Sequence, residues 1–124
     1  MSLSKAFNSS IMDAYRRGMP EKFVKTFLDI LVLATLNNGP QCGYEILARI
    51  HEKLGVLISP GTLYPMLHVL EEKGIIESRS NNRKKDYVLT RKGLEMFKTS
   101  SNDFKTLSNI FLNTMNMSLL EEDE

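Results

Sequence analysis

The run from Ser59 to Gly93, SPGTLYPMLHVLEEKGIIESRSNNRKKDYVLTRKG, constrains this chain more than any other stretch. Ser59-Pro60 is a strong helix start, because the serine hydroxyl accepts from an orphan N–H while proline occupies the first helical position. Leu63, Met66, Leu67 and Leu70 recur at helical spacing and predict a buried stripe. Pro65 cannot bond the carbonyl of Gly61, which predicts a kink or a tightening of the first turns. Gly74 ends the helix. Ile75–Arg79 and Asp86–Leu89 then read as paired strands around an Asn-rich basic tip, and Thr90 caps a further helix.

The remainder of the chain supports this unit. Residues 1–19 are polar and weakly patterned, with Ile11, Met12 and Tyr15 able to form one amphipathic turn. A first helix is expected from Pro20, with Phe23, Phe27, Ile30, Leu31 and Ala34 at helical spacing and Leu28, Val32 and Leu36 widening the face. Asn37-Asn38-Gly39-Pro40 stops it. A second helix should run from Gln41 or Gly43 to Leu54, burying Tyr44, Leu47, Ile50 and Leu54 beside Ile46. Val56–Ile58 is an extended link, with a minor strand as one reading. The last helix carries its apolar face at Leu94, Phe97, Phe104, Leu107, Phe111 and Met115.

A length of 124 residues, 42% hydrophobic and 25% charged, describes one globular domain. The net charge is only +1, but the last four residues are all acidic, and the rest holds 16 bases against 11 acids. Between Arg79 and Lys92, Arg79, Arg83, Lys84, Lys85, Arg91 and Lys92 stand against Asp86 alone. Such a concentration is either a solvated basic loop or the footprint of a polyanion partner. Cys42 is the single cysteine, which excludes an intrachain disulfide and a zinc site of the usual ligand count. It suits a reducing, cytoplasmic setting. No stretch is apolar for long enough to span a bilayer, and no metal or cofactor is expected.

These elements define the expected fold class: mainly α with a small β-wing, a winged helix-turn-helix plus a long C-terminal dimerisation helix. The expected boundaries are 1–19 for an N-terminal arm, 20–90 for the winged helix-turn-helix, 91–120 for the dimerisation helix and 121–124 for an acidic tail. A helix fits the major groove of duplex DNA, where base edges present a distinguishable code. Ser59 and Thr62 offer hydroxyls there, Gly61 lets the backbone approach phosphates, and the helix N-terminus favours an anion. Tyr64 and His68 are candidates for phosphate or base contact. Tyr44 reads equally well as a packing residue. The loop containing Arg83, Lys84 and Lys85 would lie along the adjacent backbone and supply sequence-independent attraction.

The chain resembles the PadR family of winged-helix transcriptional regulators. The resemblance rests on Gly39-Pro40, Gly43-Tyr44-Glu45-Ile46, Gly61-Thr62-Leu63-Tyr64-Pro65, Leu67, Leu70-Glu71, Gly74-Ile75-Ile76-Glu77, and Tyr87-Val88-Leu89-Thr90 with Gly93. It covers residues 24–95 in continuous register, and the Gly-Thr-Leu-Tyr-Pro block is its most specific part. It implies a dimeric, DNA-binding repressor with a short C-terminal dimerisation helix, contacting DNA through Ser59, Gly61, Thr62 and Tyr64 and through the wing at Arg83, Lys84 and Lys85. Cys42 stands where the family often has a histidine, the wing tip lacks glycine, and there is no Trp to stack a drug-like ligand.

Two copies would present two recognition helices to a pseudo-palindromic operator. A small hydrophobic effector is a further expected partner. For it, Phe97, Phe104 and Phe111 have two readings, an effector pocket or plain dimer core. The alternative class is a protein-interaction adaptor that binds no specific DNA sequence. Enzyme chemistry is not expected: there is no nucleophile–base pattern and no phosphate-cradling glycine loop, and His51-Glu52 lacks the second histidine of a zinc-protease helix.

Overall fold

The structure, a computed structural model, describes residues 18–117; the expected amphipathic turn at Ile11–Tyr15 and the acidic tail at 121–124 lie outside them. The elements in order are α1 (18–26), α2 (Leu28–Leu36), β1 (Gln41–Cys42), α3 (Gly43–Leu54), α4 (Pro60–Glu72), β2 (Ile76–Asn81), β3 (Lys84–Leu89) and α5 (Arg91–Thr114). This is the mainly helical architecture with a small β-wing and a long C-terminal helix.

The first helix differs from its expected form in two ways. It does not open at Pro20, since residues 18 and 19 are already helical, and it is interrupted at Phe27, where φ is −108° and ψ 23°. The hydrogen bonds from Phe27 N to Phe23 O (3.1 Å) and from Leu31 N to Phe27 O (3.0 Å) still carry the ladder across the break. The core-facing stripe is Val24, Leu28, Val32 and Leu36, joined by Leu33, and not the Phe23–Phe27–Ile30 face. Both faces are apolar, so periodicity alone does not choose between them. The compact aliphatic face closes on the helix-turn-helix, and the bulkier phenylalanines turn toward α5.

The core gathers Leu28, Val32, Leu33 and Leu36 with Ile46 and Ile50 of α3, Leu63, Leu67 and Leu70 of α4, and Ile75, Ile76 and Tyr87 of the wing. Each such aliphatic side chain contributes about 1.5–3 kcal/mol when fully buried. On α3 the buried residues are Gly43, Ile46 and Ile50; Tyr44, expected in the stripe, is 75% exposed, and Leu54 also faces solvent. The link after α3 forms no strand. Val56 and Ile58 are buried on either side of the exposed Leu57, so they anchor the turn between α3 and α4 by side chains alone.

The three strands are antiparallel in the order β1-β3-β2. β1 pairs Gln41 with Tyr87 and Cys42 with Asp86. β2 and β3 pair from Ile76↔Leu89 to Asn81↔Lys84, which leaves Asn82-Arg83 as a two-residue tip. Asn82 has φ +60°, a left-handed conformation that asparagine tolerates better than most residues. The strands therefore run further than Ile75–Arg79 and Asp86–Leu89, and Lys84 and Lys85 belong to β3 instead of a loop.

Thr90 caps α5 by accepting from Gly93 N (3.0 Å), and its hydroxyl donates to Gly74 O (2.6 Å). Gly93 is buried, and a side-chain carbon there would overlap the carbonyl oxygen of Ile75. The first turn of α5 thus crosses the corner between α4 and β2 at a distance only glycine allows.

Candidate nucleic-acid interface

α3, the turn at residues 55–59 and α4 form a helix-turn-helix. Ser59 accepts from Thr62 N at 3.2 Å, and the Ser59 and Thr62 hydroxyls lie 3.1 Å apart. The cap therefore engages both hydroxyls expected at the helix entrance. With Leu63, Leu67 and Leu70 buried, the opposite stripe of α4 is Gly61, Pro65, His68 and Glu72, flanked by Thr62 and Val69 on one side and Tyr64 on the other. All seven are exposed. His68 Nε2 stands 3.3 Å from Glu72 Oε2, one turn along. A protonated His68 is thus partly offset by a carboxylate on the same face.

The hairpin carries positive side chains at and next to its tip. Arg83 is exposed at the tip. Lys84 and Lys85, as consecutive strand residues, project to opposite faces. Lys84 Nζ lies 3.5 Å from Glu45 Oε2, and Lys85 Nζ lies 5.6 Å from the centre of the Tyr87 ring. Glu45 also accepts from Cys42 N at 2.8 Å. The Cys42 N–H first, then the Cys42 side chain, and after them the Lys84 charge hold the Glu45 carboxyl below the usual glutamate range, and Glu45 in turn raises the Lys84 pKa. Lys84 is therefore partly committed within the chain, whereas Arg83 points outward.

Sequence reasoning missed Glu45 as the partner of Lys84. Its only signal was Cys42-x-x-Glu45, the spacing of a capping box with a thiol in place of a hydroxyl. It also missed the link between α4 and the wing, where Ser78 Oγ donates to Glu71 Oε2. Tyr44 stands exposed on the first turn of α3, off the recognition helix itself.

The expected dimer face splits in two. Phe97 packs on the core, and Phe104 meets Phe23 (centroids 6.1 Å apart, 87° between planes) and Phe27 (5.0 Å, 84°) edge to face. Leu107 and Phe111, in contrast, are 63% and 65% exposed, and Leu94, Ile110 and Met115 also face solvent. Between α1–α2 and α5 an open groove of about 520 Å³ is lined by Phe23, Phe27, Ile30, Phe104, Leu107 and Phe111. Among the described residues no helix is long and apolar enough to cross a membrane.

A helix-turn-helix completed by an antiparallel hairpin, with a long helix following it, defines a winged-helix protein. The sequence model of the transcriptional regulator PadR-like family matches residues 32–99, and the chain belongs to that family. It is 34% identical over 77 residues to the transcriptional activator GvpE2 of Halobacterium salinarum, covering 60% of this chain and 39% of the relative. The chain thus spans about two fifths of the length of that curated relative. A PadR family transcriptional regulator from Eggerthella lenta has the same fold, with a TM-score of 0.71 at 24% identity over 83% of this chain and 90% of the other. Bacillus subtilis PadR in complex with operator DNA is similar at a TM-score of 0.53 and 29% identity, over 58% of this chain and 44% of the other.

Proposed function

We propose that this protein binds a specific double-stranded DNA sequence as a homodimer and represses transcription from it. The observation that carries the reading is the outward side of α4, where Gly61, Thr62, Tyr64 and His68 stand exposed, on a helix tied through Glu71 and Ser78 to a hairpin with a basic tip. Thr62, Tyr64 and His68 face base edges or phosphates, Ser59 presents the helix N-terminus, and Tyr44 reaches the flanking backbone. Arg83 and Lys85 grip phosphates, and Lys84 joins them by exchanging Glu45 for a phosphate oxygen. The complex of Bacillus subtilis PadR with operator DNA supports this reading.

The dimer surface is the exposed part of α5, at Leu94, Leu107, Phe111 and Met115, while Phe97 and Phe104, proposed from the sequence for the same face, pack on their own chain. An apolar strip of this kind is poorly placed in water and is covered by a second copy. Twofold symmetry then sets two α4 helices about 34–36 Å apart, one turn of duplex. The phenylalanine-lined groove is where a small hydrophobic effector would enter and release the DNA. The name of the Halobacterium relative favours a second reading, activation in place of repression. Both signs use the same interface, since the sign depends on where the bound site lies relative to a promoter.

Selection of bound duplexes from a random-sequence library tests the reading. The expected result is a two-fold-related consensus bound by a particle that sediments as a dimer. Recovery of unrelated sequences, with weak retention on heparin, would sink it in favour of a protein-interaction adaptor. A promoter fusion carrying the consensus then separates repressor from activator.

A further inference from the structure

We propose that Gly43 is a positioning residue for DNA recognition, its bare Cα forming the seat that holds the Tyr64 ring in one orientation on the flank of α4. The proposal rests on the reading above, in which Tyr64 belongs to the DNA-facing surface. Gly43 is the first residue of α3 and is buried, whereas Tyr64, on the next helix of the motif, is 44% exposed. A carbon added at Gly43 would lie 2.8 Å from Cε1 of Tyr64 and closer still to its Cζ and hydroxyl oxygen. The three nearest obstacles all belong to that one phenol. The ring is therefore the first thing that any side chain at position 43 would meet.

The residue before Tyr64 anchors the backbone that carries the ring. Leu63 is fully buried, which holds this turn of α4 against the core. Burial of Tyr87 raises that phenol's pKa first, Glu71 adds to the effect, and Tyr64 contributes after them. A side chain at position 43 would turn the Tyr64 ring outward about its own χ angles. An exposed aromatic ring swings at modest cost to the fold, but it then stands on the surface that must meet the duplex. Substitution at Gly43 thus costs recognition more than stability.

The test uses the full chain and two duplexes of equal length: one selected by the wild-type protein from a random library, and a scrambled version. If the wild type selects nothing, the proposed function fails before this question arises. Gly43→Ala is expected to lower affinity for the selected duplex roughly tenfold while the scrambled duplex changes by about twofold or less. Its melting temperature should stay within a few degrees of wild type. The double variant Gly43→Ala with Tyr64→Ala should bind both duplexes as Tyr64→Ala alone does, because the obstructed ring is gone. That comparison serves even where Gly43→Ala folds poorly. Unchanged affinity in Gly43→Ala, an equal loss on both duplexes, or a further loss in the double variant beyond Tyr64→Ala would each overturn the proposal.

Discussion

Ser78, on the first strand of the wing, donates its hydroxyl hydrogen bond to the carboxylate of Glu71 near the end of α4. The two groups are half-buried and seven residues apart, with the α4–β2 corner between them. This bond ties the hairpin to the helix it flanks. Ser78→Ala is expected to lower stability by about 1 kcal/mol, read from the midpoint of urea denaturation. An unchanged midpoint means that apolar packing at Ile75 and Ile76 sets the wing on its own.

The wing and the helix entrance should separate in salt titrations. Arg83→Ala and Lys85→Ala are each expected to weaken binding to every duplex and to reduce the slope of log affinity against log salt by about one. Thr62→Ala should leave the slope alone and alter the ranking of sequences instead. The reverse pattern in binding titrations at several ionic strengths would mean that the helix grips the backbone and the wing reads bases.

Phe104 and Phe111, both on α5, predict different losses. Phe104 packs edge to face against Phe23 and Phe27 of its own chain, so Phe104→Ala is expected to destabilise the fold by about 1–3 kcal/mol. Phe111 is mostly exposed. Phe111→Ala should retain the helical circular dichroism of the wild type yet shift sedimentation toward monomer, with operator affinity falling in parallel. A Phe111→Ala protein that remains dimeric removes this part of α5 from the interface.

Glu45 supplies a pH signature. Its carboxyl is held below the usual glutamate range, first by the Cys42 N–H, then by the Cys42 side chain and further by Lys84. The folded chain therefore holds this proton less tightly than the unfolded chain. The stabilisation is present above the unfolded glutamate's pKa and is lost as pH falls through the lower, folded value. Glu45→Gln, whose amide oxygen can still accept from Cys42 N–H, should melt below wild type at neutral pH. The difference should close as the pH falls through the folded carboxyl's lowered pKa. A gap in melting temperature that persists in acid means that the carboxylate charge contributes nothing.

Much of the interface was legible because its signals are local. Ser59-Pro60, Leu63, Leu67, Leu70 and Gly74 define α4 through capping chemistry and a 3.6-residue period, and both operate within one helix. Thr90 was legible as a cap for the same reason. The errors fell where the deciding partner is remote in sequence. β1 is two residues long and has no period to read; it is a strand only because Tyr87 and Asp86 lie alongside. Lys84 and Lys85 looked like loop residues until the hairpin register drew them into β3. On α1 and α2 two apolar faces competed, and packing against α3 and α4 chose the aliphatic one.

By itself the sequence determined that one capped helix, buried on its leucine face, precedes a basic hairpin and a long apolar helix, because hydrogen-bond capping and side-chain period act between near neighbours. Only the tertiary structure decided which charges are engaged and which point outward, as with Lys84 held by Glu45 and Arg83 at the tip. It alone showed that Gly43 faces Tyr64 and that Phe104 serves its own chain while Phe111 is left to solvent. Those outcomes depend on distances between segments far apart in the chain, and no local preference encodes such a distance.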